Sequence, residues 1–324
     1  KKPDREPRLS QLNGQKAEIA DREGAERAVA ALKQVALKVT DVKLKEKKRL
    51  PAPPFTTSSL QQEASRKLNF TASKTMQVVQ QLYEGVDIAG EGTQGLVTYI
   101  RTDSVRISDE ALAAVRQYIP EKFGPAYLPE EPQIYKGRKN AQDAHEAIRP
   151  TDVYRTPEKV KGSLTRDQFM LYRLIYNRFV ASQMASATYQ TITAMIGDGK
   201  TELRYYGEHR TFPGFSTLYE ESEDEVQETV ESIIPSLKVG DSVQLLATDA
   251  QQHFTQPPAH FTEATLVRAM EEQGIGRPST YAPTITTLLG RRYITKENKN
   301  LYMTEMGGST RSMKNHAHAE VQSQ

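Results

Sequence analysis

Apolar residues recur at helical spacing through most of residues 59–185, and each such segment follows a residue that can cap a helix. The capping residues are Ser59 with Gln62, Ser108, and Thr165 with Gln168. We expect the second helix to stop at Pro120, because proline has no N–H for a helical hydrogen bond. The third carries a wide apolar stripe, made of Phe169, Tyr172, Ile175, Tyr176 and Phe179. These patterns predict a helical domain with that stripe in its core.

Outside this region the period of the apolar pattern changes to two. Three segments after residue 186 alternate in this way and are predicted to be strands: residues 188–196, 201–206 and 242–246. Near the start, residues 37–44 form a broken alternation that is typical of a half-exposed strand. We interpret the basic run at residues 43–49 as the solvated face of that strand, and the acidic run at residues 220–225 as a solvated loop.

Residues 256–306 predict a further small domain. Two short helices, capped by Thr262 and Ser279 and joined by a tight turn, precede a hairpin. This order of elements is common in winged-helix nucleic-acid-binding domains, and a small α+β core without that function explains it equally well. Residues 307–324 have almost no apolar residues and are interpreted as disordered or foreign to the native sequence.

Composition limits the classes of protein to which this chain can belong. The 324 residues suffice for roughly two or three domains, and the absence of cysteine excludes disulfides and thiolate metal sites. No apolar run approaches the ~20 residues of a membrane helix, and we expect no signal peptide. The net charge of +2 is too small to attract DNA over the whole surface, so DNA contacts would need locally gathered basic residues.

The most informative segment is residues 95–104, Gly-Leu-Val-Thr-Tyr-Ile-Arg-Thr-Asp-Ser. Residues 96–100 are β-prone and predict a strand, from one face of which Tyr99, Arg101 and Asp103 project. A phenol and a guanidinium then reach the same phosphate, and Arg101 stabilises the charge that builds on phosphorus when Tyr99 attacks. An edge strand with an ordinary tyrosine and a solvated arginine is the alternative.

A second segment with candidate chemistry is residues 142–151. If it is helical, His145 and Arg149 lie one turn apart on one face, where a histidine can move a proton or hold a phosphate. A capped surface helix that ends at Pro150 explains the same residues more modestly.

The third segment is residues 274–281, in which Arg277, Ser279 and Thr280 stand at a predicted helix N-terminus. Free backbone N–H groups at such an end favour a phosphate. The alternative is a plain serine cap preceded by glycines for the turn.

These three segments, in this order, resemble the type IA DNA topoisomerase family of bacteria. The likeness runs from about Phe55 to Glu305, residues 1–50 match only loosely, and the tail does not match. The resemblance implies that Tyr99 attacks a single-strand phosphodiester, forms a 5′-phosphotyrosine link and frees a 3′-hydroxyl, which later reverses the reaction without ATP. It also implies site residues: catalytic Tyr99, Arg101 and His145, and DNA-binding Thr98, Asp103, Arg149, Arg277, Ser279 and Thr280.

The fold that the resemblance implies is a multidomain α+β fold arranged as the arch of a toroid. Its parts are a β-rich strand-gate domain (residues 1–58 and 186–255), a helical domain carrying Tyr99 (residues 59–185) and part of a winged-helix-like domain (residues 256–306).

One feature of the family is missing. Its members begin with a domain whose glutamate and Asp-x-Asp set hold Mg²⁺, and no Asp-x-Asp occurs in this chain. We therefore expect an internal fragment that binds no metal and is inactive alone, while the full-length enzyme requires Mg²⁺. The expected partner is DNA, single-stranded at the cut, bound by a monomer at the nucleoid in the bacterial cytoplasm, with no membrane involved. The rival interpretation is a non-catalytic module that binds single-stranded DNA.

Overall fold

A computed structural model describes residues 6–137, 145–222 and 234–309 of the chain. Its helices and strands, in chain order, are β1 (Arg8–Leu12), β2 (Gln15–Lys16), α1 (Arg22–Lys33), β3 (Lys38–Arg49), α2 (Thr57–Leu68), α3 (Ala72–Glu84), β4 (Val86–Ile88), β5 (Gly92–Gln94), α4 (Asp109–Phe123), α5 (Pro157–Val160), α6 (Arg166–Ser182), β6 (Ala187–Gly197), β7 (Glu202–Phe212), α7 (Glu263–Glu272), α8 (Tyr281–Gly290), β8 (Ile294–Glu297) and β9 (Asn300–Met303). Short 3₁₀ turns lie at Pro125–Tyr127, Lys161–Ser163 and Gly214–Thr217.

These elements divide into two compact units. The sheet unit comprises residues 6–50, 186–214 and 234–257, and the helical unit comprises residues 51–137, 145–185, 215–222 and 258–309. The first boundary lies at residue 50 rather than at the predicted 58, because Phe55 is fully buried in the core of the helical unit. Over the residues described, no helix is both long enough and apolar enough to span a bilayer.

The sheet unit is built on one antiparallel sheet with the strand order β2-β1-β7-β6-β3. The strands predicted at residues 188–196 and 201–206 are confirmed as β6 and β7, both longer than expected. The basic run lies on β3, where it is mostly exposed as predicted, and lysines on an outer strand oppose pairing with another chain. The core of the unit consists of Leu32, Leu37, Val39, Ile192, Ala194, Ile196, Leu203 and Tyr205.

The strand predicted at residues 242–246 does not form, so that prediction was wrong. Ser242 makes a single bridge with Lys38, and the Val243 N–H bonds to the carbonyl of Leu37 at 2.9 Å. Leu37 is the residue before β3 begins, and the chain preceding it turns away toward α1. The segment therefore has no partner along which a ladder can continue.

The core of the helical unit lies between α2, α3, α4 and α6. Helix α6 carries the predicted apolar stripe, and the capping box of Thr165 with Gln168 is confirmed at its start. Helix α4 begins after Ser108 as predicted but continues through Pro120 to Phe123, so the predicted stop was wrong. A proline so close to the end of a helix removes one hydrogen bond, and the buried residue before it, Ile119, keeps that turn packed.

A buried charged cluster joins α2 to α6. The Arg178 side chain is only 2% exposed and donates to the Pro53 carbonyl, to the Tyr219 hydroxyl at 3.2 Å and to the Glu221 carboxylate at 2.9 Å. Burial raises the pKa of Tyr219, so its hydroxyl stays protonated and donates to buried Glu63. The described part of the acidic run is therefore not merely a solvated loop, because Glu221 neutralises a buried guanidinium.

Helices α7 and α8, called here the helix pair, are followed by the hairpin of β8 and β9, which confirms the predicted order of elements. Thr262 caps α7 as predicted. The pair packs against α2 and α3 through Ala72, Val267, Met270, Tyr281, Ala282 and Ile285. Near its start, the Glu263 carboxylate accepts the Ala72 N–H at 2.7 Å and binds Lys296 of the hairpin at 3.2 Å.

A second small hairpin, β4 with β5, separates α3 from the segment that holds Tyr99. Its two ends are joined beneath it, because the Leu96 N–H donates to the Leu82 carbonyl at 2.8 Å. Gly85 begins this excursion with a φ of +124°, a conformation that side chains with a Cβ disfavour.

Candidate functional site

The Tyr99 segment, residues 95–104, is not the strand that its β-prone residues predict. Its one bridge joins Val97 to Pro150. Exposure nevertheless alternates, since Tyr99 is 42% exposed and Arg101 is exposed, whereas Ile100 and Thr102 are each 1% exposed. Tyr99 and Arg101 therefore lie on the open side of the segment, as expected, although no ladder holds it.

Thr57, the first residue of α2, holds the backbone on both sides of Arg101. Its hydroxyl donates to the Ile100 carbonyl at 2.7 Å, and its N–H donates to the Thr102 carbonyl at 2.9 Å. The Thr102 N–H in turn donates to the Thr57 hydroxyl oxygen at 2.9 Å. Because Thr57 is fully buried, water does not compete for these bonds, and the Tyr99 segment is held firmly from beneath.

Residues 145–150 hold the segment from its other side. The Thr98 N–H donates to the Arg149 carbonyl at 3.0 Å, and the Thr98 hydroxyl donates to the Ala147 carbonyl at 2.7 Å. The Ile148 N–H donates to the Phe55 carbonyl at 2.8 Å. These backbone groups bond to other segments of the chain and not to each other, so residues 145–150 do not form the predicted helix. Residues 142–144 lie outside the described ranges.

The proline at position 150 agrees with this correction, because the residue before a proline disfavours the helical conformation. His145 and Arg149 are therefore not one helical turn apart. His145 is instead placed beside Tyr99, whereas the Arg149 guanidinium binds Glu146 at 2.8 Å and the Ser108 hydroxyl at 3.3 Å. With its side chain only 11% exposed, Arg149 braces this strand-like stretch.

The Tyr99 ring lies between two other rings. The Tyr83 ring meets it edge-on at 5.8 Å between centroids, and the His145 imidazole lies at 5.5 Å. Arg101 donates to the side-chain oxygen of Gln80 at 3.4 Å. Gln80 and Tyr83 occupy the last turn of α3, and sequence reasoning missed both, because glutamine and tyrosine at a helix end carry no distinctive pattern.

The structure thus brings together Tyr99, Arg101, His145 and Thr98. Thr98 is partly buried and uses its hydroxyl to hold Ala147, while Asp103 is partly buried two residues beyond Arg101. A half-exposed phenol, an imidazole beside it and a nearby exposed guanidinium can together attack a phosphate and hold its charge.

The arginine turn, residues 274–280, joins the two helices of the pair and is exposed. The Arg277 N–H donates to the Thr280 hydroxyl oxygen at 2.8 Å, and the Arg277 side chain donates to the Gly276 carbonyl at 2.9 Å. Gly276 has a φ of +79°, and a Cβ there would lie 2.9 Å from the Thr280 hydroxyl oxygen, so the turn requires glycine.

The cap of α8 differs from the prediction. The capping position is Thr280 rather than Ser279, because Ser279 lies inside the turn and α8 begins at Tyr281. The Thr280 side chain makes no capping bond to the helix, since its hydroxyl is occupied by Arg277. Ser279 is exposed beside it.

Within residues 6–137, 145–222 and 234–309, no group of three or more His, Asp or Glu side chains is placed to hold a metal ion. Hard cations such as Mg²⁺ require clustered oxygen donors. The described residues therefore do not fit the metal that the resemblance implies.

Comparison with known proteins points to one family. The family model for DNA topoisomerase matches residues 3–318. Among solved structures, the full-length topoisomerase I from Thermotoga maritima is similar, with a TM-score of 0.76 and 38% sequence identity over 93% of this chain and 49% of that chain. The chain thus spans about half the length of that relative.

Proposed function

Because this chain belongs to the type IA DNA topoisomerase family, we propose that it carries the nucleophile of an isomerase that cuts and rejoins one DNA strand. The observation that carries the proposal is the half-exposed Tyr99 phenol, set between His145 and Tyr83 on a backbone that Thr57 holds rigidly. A nucleophile needs both access to its target and a fixed position. We also propose the bacterial cytoplasm, where the DNA lies, as the location of this activity.

In the proposed reaction the Tyr99 oxygen attacks the phosphorus of a DNA phosphodiester. The bond from phosphorus to the 3′-oxygen breaks, so the 5′-phosphate is linked to Tyr99 and the 3′-oxygen, once protonated, leaves as a hydroxyl. We assign acceptance of the phenolic proton to His145, whose ring lies 5.5 Å from that of Tyr99, and stabilisation of the added negative charge on phosphorus to Arg101. The phosphotyrosine bond replaces the bond that was broken, so attack by the 3′-hydroxyl reverses the step without ATP.

Between cutting and rejoining, passage of another strand through the gap would relax negative supercoils. We propose that the chain alone does not complete this cycle, since its described residues offer no donor set for the family's Mg²⁺. Purified chain mixed with negatively supercoiled plasmid is expected to leave the plasmid supercoiled. Robust relaxation by the chain alone would contradict the proposal.

The central test is Tyr99→Phe, made in the chain combined with the family's metal-binding region and Mg²⁺. Removal of one hydroxyl should leave the fold and DNA affinity unchanged while covalent adducts with an end-labelled single-stranded oligonucleotide disappear. Tyr83→Phe is the matched control, because it removes the same group from the neighbouring exposed ring. Adducts should persist in that variant.

The result is read from denaturing gels, on which a DNA–protein adduct migrates with the protein. If Tyr99→Phe still forms adducts, the nucleophile lies elsewhere. If Tyr83→Phe abolishes them as well, the loss of adducts is not specific to the Tyr99 hydroxyl. Either outcome rejects the mechanism given above.

A second candidate function is a non-catalytic module that binds single-stranded DNA. The exposed Arg277 beside the start of α8 favours it, because basic side chains attract the phosphates of DNA. Under either candidate the chain alone should bind a single-stranded oligonucleotide more tightly than duplex and lose affinity as salt rises. Only the topoisomerase proposal also requires Tyr99-dependent adducts.

A further inference from the structure

Two consecutive residues at the start of α2 are attached to different parts of the helical unit. Thr57 holds the backbone around Arg101, whereas the Ser58 hydroxyl donates at 2.7 Å to the carboxylate of Glu271, in the last turn of α7. Thr57 is 0% exposed and Ser58 is 2% exposed, so both attachments are shielded from water. One peptide unit therefore separates the anchor of the Tyr99 segment from an anchor of the helix pair.

The first turn of α2 is too rigid to absorb movement between these two anchors. A reciprocal capping box closes it, in which the Thr56 N–H donates to the Ser59 hydroxyl oxygen at 2.9 Å and the Ser59 N–H donates to the Thr56 hydroxyl oxygen at 3.2 Å. The Gln62 amide also donates to the Ser58 hydroxyl oxygen at 3.0 Å, which fixes its rotamer. A displacement of Glu271 consequently moves this turn as one piece.

A second route runs along α3. At the start of this helix the Ala72 N–H is bound by Glu263 of α7, and a carboxylate there is also favoured by the helix dipole. At its other end, Gln80 accepts a hydrogen bond from Arg101, and the Tyr83 ring contacts Tyr99. The helix pair thus supports the Tyr99 segment through the starts of both α2 and α3.

We propose that the hydrogen bond from Ser58 to Glu271 is a positioning contact that sets the placement of Tyr99 and Arg101 according to the position of the helix pair. DNA held at the arginine turn, which follows α7 directly, is then presented to an aligned nucleophile. The consequence for cleavage rests on the proposed function, whereas the mechanical coupling does not. Ser58 and Glu271 touch neither the reacting atoms nor the DNA in this proposal.

The coupling is tested first on the chain alone by amide hydrogen exchange. The Thr102 N–H, bonded to Thr57, is the reporter. In Ser58→Ala and in Glu271→Ala we expect its exchange to become about tenfold faster, as for loss of a buried hydrogen bond to a charged group, relative to the amides of α6. Glu272→Ala is the matched control, because that carboxylate is next in sequence but pairs with Arg268 within α7.

Exchange at Thr102 that stays at the wild-type rate in both variants, or that rises equally in the control, overturns the coupling. Exchange that rises equally at Thr102 and in α6 also overturns it, because the variants then merely destabilise the whole unit.

The consequence for chemistry is tested in the chain combined with the metal-binding region and Mg²⁺. Ser58→Ala and Glu271→Ala should each lower the cleavage rate at saturating oligonucleotide about tenfold and change the Kd less than twofold. The double variant should be little slower than the slower single one, because the bond from Ser58 to Glu271 is already lost in each single variant. Glu271→Gln retains an acceptor oxygen and should recover most of the rate.

Independent, multiplying effects of the two substitutions, or a loss of affinity in place of rate, overturn the positioning role. The two proposals fail differently. Adducts that survive Tyr99→Phe reject the proposed function and leave the exchange result in force, whereas a wild-type cleavage rate in Ser58→Ala rejects only the positioning contact.

Discussion

The Tyr99 segment and the arginine turn each present an arginine at the surface of the helical unit, but they are held in different ways. Arg101 stands between two buried residues whose backbone groups bond to Thr57, a partner 45 positions away from Thr102 in sequence. Arg277 belongs to a turn whose hydrogen bonds at Gly276 and Thr280 stay within the turn. The backbone around Arg101 is fixed by the core, whereas the backbone around Arg277 is held by residues close to it in sequence.

This difference separates two tasks. A group that stabilises a transition state must be in place before charge develops, since a small displacement costs much of the rate. A group that attracts the phosphate backbone acts over several ångströms and tolerates movement. We therefore propose that Arg101 governs the rate of cleavage and Arg277 the affinity for DNA.

The largest effect is expected for Arg101→Lys in the chain combined with the metal-binding region. Lysine keeps the charge but lacks the planar fork that bonds a phosphate through two N–H groups. Cleavage of a saturating oligonucleotide should slow by ~10²–10³, as for loss of one preorganised donor. Arg106→Lys, at an exposed position of the same loop, is the control. An equal slowing in the control would remove the distinction between fixed and loosely held arginines.

A smaller effect is expected for Arg277→Ala. The affinity for single-stranded DNA should fall severalfold at low salt. The slope of the logarithm of the association constant against the logarithm of salt concentration should become less steep by about one. The maximal cleavage rate should stay at the wild-type value. Arg291→Ala, which removes an exposed arginine from the far end of α8, should alter binding less. A drop in maximal rate without a change in affinity would reverse the roles assigned above.

The smallest effect is expected for a substitution in the sheet unit, whereas both arginines belong to the helical unit. In the sheet unit, burial opposes ionisation of Glu208, but the Tyr206 hydroxyl and the cations of Arg49 and Lys47 together hold the pKa of Glu208 below its ordinary value. The ionised carboxylate stabilises the fold above the ordinary pKa of glutamate, and this stability is lost as pH falls through the lowered value.

Glu208→Gln should therefore lower the free energy of unfolding by about 1 kcal/mol at pH 7, and by progressively less in acid. Urea denaturation at pH 7 and near pH 3 measures the difference. DNA affinity and cleavage should not change. A change in either would mean that general stability, rather than local positioning, governs the two arginines.

The start of α2 shows how far local chemistry predicts a fold. Residues 56–59 all carry hydroxyl groups, so each can cap a helix, and the sequence pattern favoured Ser59 with Gln62. The structure uses Thr56, because the hydroxyls of Thr57 and Ser58 are bound by distant partners. The helix was predictable, whereas its first residue was decided by tertiary contacts.

The residues of the candidate site likewise divide into those that the sequence indicates and those that only tertiary contacts reveal. Tyr99 and Arg101 carry distinctive side chains within one short motif, so a sequence can point to them. Thr57 and Ser58 act through partners 43 and 213 positions away, and no periodicity in the chain reports such distances. The helix predicted at residues 145–150 does not form for a related reason. The backbone there bonds to Phe55 and Thr98, and these bonds replace the helix that local propensity favoured.

The hairpin of β4 and β5 offers a place to alter the chain without disturbing what lies below it. Since Leu96 is already bonded to Leu82 beneath the hairpin, a change in the length of the hairpin tip, residues 89–91, is not expected to move Tyr99. The exposed contacts at its tip, Ala89 with Ser163 and Glu91 with Arg155, contribute little. A fluorescent peptide inserted after Gly90 would therefore lie close to Tyr99 along the chain without taking part in cleavage. Its emission would report the binding of DNA in real time.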